Sequence, residues 1–158
     1  MAETVSKTEL KKVSFRESEE YLIATNHYMN PDMIEYDNHR GRHSVVRYRA
    51  IEKALTEAKD SISMNDIKAI LEQKVPNGVF CPYYDDGLGT LHSMAFDLSN
   101  KKVEVCLGMP ESHKWQEVFF DESVGNSIVT ENVINEYADD PGTFWRVMPP
   151  GSMDAGIG

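Results

Sequence analysis

Tyr21-Leu22-Ile23-Ala24-Thr25-Asn26-His27-Tyr28 is the stretch on which the fold reading turns. Leu22, Ile23 and Ala24 form a short continuous apolar run, the pattern of a strand covered on both faces. The run ends in an Asn-His pair followed by a polar loop. A strand end of this kind holds a polar side chain rigidly while letting it reach a ligand. Asn26 is therefore the first candidate for chemistry.

Working outward, residues 11–17 alternate, with Val13 and Phe15 on one face and Lys12, Ser14 and Arg16 on the other. This is a half-buried strand. Ser18-Glu19-Glu20 reads as a turn that would join it to residues 21–26 as a hairpin. Residues 29–43 form a long polar loop rich in Asn, Asp and Gly, and loops of that length are usually functional or disordered. Two helices follow. Ser44 reads as the N-cap of the first, whose stripe runs through Val45, Tyr48, Ile51 (or Val46 and Ala50), Ala54, Leu55 and Ala58. Ser63 opens the second with Asp66 three residues on, a variant of the capping box. Ile67, Ile70 and Leu71 are its buried face, and Pro76-Asn77-Gly78 closes it. Residues 88–98 and 101–107 read as a hairpin about Ser99-Asn100, and residues 115–120 as a further strand. A short helix over 126–137 and a frayed end over 149–158 complete the expectation. The order describes an α+β chain: one domain over 1–122 and a weakly patterned tail over 123–158.

Composition excludes several classes. The chain has 158 residues, a hydrophobic content of 41% and a formal net charge of −10. That charge argues against binding a phosphate backbone. No apolar run approaches a membrane span, and no basic-then-apolar segment opens the chain as a secretory signal. Two cysteines, Cys81 and Cys106, are too few for a disulfide framework and suit reduced thiols in the cytoplasm.

Three motifs beyond the opening stretch carry a resemblance. Ser44-Val45-Val46-Arg47-Tyr48 looks like a Ser-x-x-Arg-aromatic helix start. Thr90-Leu91-His92-Ser93-Met94-Ala95-Phe96-Asp97 looks like a Thr-x-x-Ser-x-x-Phe-Asp strand, and residues 102–108 followed by Pro110 like its closing partner. With Thr25-Asn26-His27 they make the chain resemble the choloylglycine hydrolase and acyl-CoA:6-aminopenicillanic acid acyltransferase superfamily of N-terminal nucleophile hydrolases. The resemblance runs over about residues 5–120. It implies half of an αββα four-layer sandwich, an antiparallel sheet with two adjacent helices. It also implies cysteine-dependent cleavage of a linear amide, or transfer of its acyl group, without a cofactor. The family's nucleophile is a cysteine at a mature chain start, whereas this sequence begins Met1-Ala2-Glu3. The expectation is therefore the carboxy-terminal half of such an enzyme, inactive in isolation.

In that chemistry a free α-amine serves as base for its own side chain, and the oxyanion formed needs preorganised donors. Asn26 matches the family's oxyanion asparagine, and Arg47 its arginine, which would poise thiolate and substrate. Tyr28 and Met29, with Tyr83 and Tyr84, are candidates for walling an acyl pocket. His27 is expected to orient Asn26 or pack beside it, and Cys106 to belong to the core. The partners expected are a small amide or acyl substrate and a complementary chain, or self-association, with no nucleic acid and no membrane. One rival reading is a non-catalytic module that binds a partner chain through its sheet edge. A weaker one is a metal site built from Asp32, Glu35, Asp37, His39 and His43.

Overall fold

The computed structural model describes residues 2–6, 10–36, 42–58, 61–83 and 88–120. Strands β1 (Ala2–Ser6) and β2 (Leu10–Phe15) pair antiparallel, with Ala2 opposite Phe15. A 3-10 turn (Pro31–Tyr36) precedes helix α1 (Arg42–Ala58) and helix α2 (Met64–Glu72). Two short strands, β3 (Pro82–Tyr83) and β4 (Leu88–Gly89), pair antiparallel. The main sheet is antiparallel and three-stranded, in the order β5 (His92–Asp97), β6 (Lys102–Leu107), β7 (Gln116–Phe119). The fold is α+β.

The expected hairpin between residues 11–17 and 21–26 is corrected. Strand β2 takes its partner from β1, and residues 21–25 have no regular secondary structure. Within the apolar run only Ile23 is buried, while Leu22 and Ala24 stay exposed. Apolar content specified burial of one side chain, and no neighbouring strand pairs with the run among the described residues. Its anchor is a side chain instead: Arg16 Nη2 donates to the Ile23 carbonyl at 3.1 Å.

Helix α1 begins two residues before the expected cap, and Ser44 lies fully buried within its first turn. Helix α2 starts as expected: the Asp66 N–H donates to Ser63 Oγ at 3.2 Å, and the Ser63 N–H donates to Asp66 Oδ2 at 2.8 Å. It ends at Glu72, earlier than Pro76, with Gln73 extended as its C-cap. The loop over 29–43 holds an unforeseen core residue, Met33, which is fully buried. Residues 88–98 are split by Thr90-Leu91 into β4 and β5. The β5–β6 hairpin turns about Ser99-Asn100, with the Asn100 N–H donating to Asp97 Oδ1 at 3.0 Å and Lys101 at a φ of 50°. The expected helix over 126–137 and the frayed end over 149–158 lie outside the described residues.

The main sheet has two unlike faces. Register places Ala95 beside Glu104, and Glu104 accepts from Lys68 Nζ of α2 at 2.6 Å and from Lys102 Nζ at 3.1 Å. Chiefly the Lys68 hydrogen bond, with Lys102 adding to it, holds the Glu104 carboxyl below the usual carboxylate range. Helix α2 therefore sits on this face. The opposite face carries Met94 with Val105, and Phe96 with Val103 and Val118. Phe96 is 59% exposed and Leu98 76%, and the Phe120 ring lies 6.4 Å from that of Phe96. Among the described residues this face is apolar and partly exposed, and β5 lies at the edge of its sheet.

A core cluster under α1 joins Val75, Cys81 and Tyr83, with Val46 packed against it. Cys106 is fully buried, as expected of a core thiol. No helix among the described residues is long and apolar enough to cross a membrane.

Candidate functional site

The site forms where the segment after Ile23 meets the first turns of α1. Ser44, Arg47 and Tyr48 are spaced three and four apart, so they share one helix face. Arg47 Nη2 donates to Asn26 Oδ1 at 2.6 Å. A guanidinium has only donors, so it fixes the Asn26 amide with its oxygen toward Arg47. The Asn26 Nδ2 hydrogens then face away and have no partner among the described residues. The two residues singled out from sequence are thus in direct contact.

Neighbouring groups hold this pair. Arg47 Nε donates to the His43 carbonyl at 3.4 Å. Burial, and to a lesser degree the Arg47 charge, pushes the His43 imidazole below its ordinary range. Burial lowers the Arg47 value as well, with nearby Cys81 opposing it, yet a guanidinium remains charged at any physiological pH. Next to Asn26 in the chain, His27 Nδ1 lies 2.8 Å from Ser44 Oγ and 3.0 Å from Thr25 Oγ1. The His27 ring meets Tyr48 edge-on, with centroids 5.7 Å apart.

Both cysteines are free and buried. Cys81 is buried, and burial raises its thiol pKa despite the opposing pull of Arg47. A raised pKa disfavours the thiolate that reacts. Its backbone is pinned by the motif threonine: the Cys81 N–H donates to Thr90 Oγ1 at 3.0 Å, and the Thr90 N–H to the Cys81 carbonyl at 2.8 Å. The threonine signal in the sequence therefore marks a structural clasp.

A groove of about 1430 Å³ opens beside Arg47. Leu22 and Thr25 line one wall, Leu55 and Ile67 are helix residues within it, and Leu91 and Phe96 lie toward β5. These helix residues read as core from their periodicity, and nothing in the sequence distinguishes a groove wall from a core face. Of the four candidates for an acyl pocket, Tyr83 is 1% exposed and donates its hydroxyl to the Val75 carbonyl at 3.2 Å. Tyr28 and Met29 are half-buried and do not line the groove, and Tyr84 lies outside the described residues. Among the described residues no three His, Cys, Asp or Glu side chains converge as for a metal, while Asp37 and His39 lie outside them.

A family-model match to the chain indicates an acyltransferase/hydrolase-like domain of the choloylglycine hydrolase-like superfamily, and the α+β fold is consistent with it. The family model of acyl-coenzyme A:6-aminopenicillanic acid acyl-transferase matches residues 2–112, and the chain belongs to that family. No curated protein and no solved structure matches it.

Proposed function

We propose that this chain is the Asn- and Arg-bearing part of a cysteine N-terminal nucleophile hydrolase or acyltransferase acting on linear amides. The attacking thiol comes from a polypeptide segment other than residues 1–158. The observation that carries the reading is the Arg47–Asn26 hydrogen bond, which turns the Asn26 amide hydrogens outward. The thiolate adds to the amide carbonyl carbon, and the carbonyl oxygen becomes an oxyanion. Asn26 Nδ2–H donates to that oxyanion, and Arg47 keeps Asn26 in the donating orientation. Collapse breaks the carbon–nitrogen bond, the amine leaves with a proton from the nucleophile's own α-ammonium, and a thioester remains. Water or a second amine then takes the acyl group. No cofactor enters this scheme. The buried cysteine thiols suit a cytoplasmic setting.

The second reading, a partner-binding module, is favoured by the exposed Phe96 and Leu98 side chains and by the place of β5 at the edge of its sheet among the described residues. Both readings call for a complementary chain, and self-association is the outcome when that chain is absent.

The test pairs the chain with a polypeptide bearing an N-terminal cysteine and the adjoining strands, using a simple N-acyl amino acid as substrate. The expected product is a thioester on that terminal cysteine, with turnover retained in Cys81→Ser. A folded Cys81→Ser complex without turnover, or a thioester found on Cys81, contradicts the proposal.

A further inference from the structure

Asn26 is an exposed residue on a segment without regular secondary structure, yet an oxyanion donor must hold its geometry to within about 0.5 Å. The residues on either side of it are tied down. His27 Nδ1 stands between Ser44 Oγ at 2.8 Å and Thr25 Oγ1 at 3.0 Å, and Ser44 is 0% exposed within α1. Arg47, one turn further along α1, grips the Asn26 side chain itself.

We infer that Ser44 and His27 are positioning residues: a hydroxyl–imidazole latch that docks the Thr25-Asn26-His27 segment onto α1 and so sets where the Asn26 amide donates. The inference rests on the oxyanion reading above and adds to it the residues that make Asn26 rigid. Its chemistry is specific. Hydroxyls donate or accept by rotating, so Ser44 and Thr25 adapt to either tautomer of His27 and to its protonated form. The His27 ring also packs edge-on against Tyr48, which shares a helix face with Ser44 and Arg47. One face of α1 thereby fixes the backbone beside Asn26 through Ser44 and the side chain through Arg47.

The experiment uses the full chain and three variants, Ser44→Ala, His27→Phe and His27→Asn. His27→Phe keeps a ring against Tyr48 but removes Nδ1. His27→Asn places an amide atom near the Nδ1 position. The first readout is the NMR signal of the Asn26 side-chain amide, with circular dichroism to check the fold. Ser44→Ala and His27→Phe are expected to collapse its two proton shifts toward free-amide values, and His27→Asn to preserve their separation. The second readout is turnover in the enzyme completed by the cysteine-bearing polypeptide. There His27→Phe should lower kcat at least about tenfold with KM nearly unchanged, and His27→Asn should recover most of it. Should Ser44→Ala fail to fold, the His27 pair decides alone, because it leaves the helix turn intact. Unchanged Asn26 signals in folded His27→Phe overturn the latch whatever the activity. Signals that move while kcat stays constant keep the positional contact but overturn its catalytic purpose, and the oxyanion reading with it.

Discussion

Tyr83→Phe removes a single atom from the core under α1. In the structure the ring is 1% exposed, and its hydroxyl donates to the Val75 carbonyl, itself on a residue 1% exposed. Deleting the hydroxyl strips a buried acceptor of its partner at a place closed to water. Stranding such a group costs about 1–3 kcal/mol. Tyr83→Ala also removes the ring and leaves a cavity, for a cost of about 3–5 kcal/mol. The hydroxyl alone is thus expected to carry roughly a third to a half of the alanine loss. Urea denaturation separates the effects: with a slope of about 1–3 kcal/mol/M, Tyr83→Phe should move the midpoint by about 1 M at unchanged slope. The same variant should leave the apparent affinity for an acyl amide unaltered in the completed enzyme. A Tyr83→Phe chain as stable as the native one, but with altered substrate affinity, would place Tyr83 in the pocket wall instead.

Phe96→Lys places a charge on the apolar sheet face and should shift the chain from self-associated toward monomeric species in sedimentation velocity; an identical distribution for native and variant would count against an associating face. His43 is held below its ordinary range by burial and by Arg47, so the folded state resists its protonation. Stability at this position is complete above an unfolded value of about 6.5 and declines as pH falls from there toward the folded value. Thermal melts between neutral pH and about pH 5.5 should show that decline, and His43→Gln should flatten it; an equal slope in the variant would assign the decline to other groups.

Local rules were legible where local chemistry decides. Ser63 and Asp66 form their capping box because both partners lie within one turn. Residues 92–97 and 102–107 pair because alternation and an Asp-x-x-Asn turn specify register together. Residues 21–26 differ from the strand their sequence suggests because an apolar run reports burial but not hydrogen-bond partners, and Arg16 supplies a contact no periodicity announces. Ser44 looks like a cap by residue type, and only the fold brings His27 close enough to claim its hydroxyl. Asn26 and Arg47 were candidates by resemblance, but their hydrogen bond was not legible, since nothing in residue types joins positions 26 and 47. The groove beside them was not visible, because a helix stripe reads the same whether it faces a packed core or an open wall.

In the proposed mechanism Asn26 donates to the developing oxyanion. The direct measurement is steady-state turnover of an N-acyl amino acid by the completed enzyme carrying Asn26→Ala. Loss of one oxyanion donor lowers kcat by about 100- to 1000-fold. Because the donor meets full charge only in the transition state, KM should change little. An Asn26→Ala enzyme with native kcat would contradict the claim.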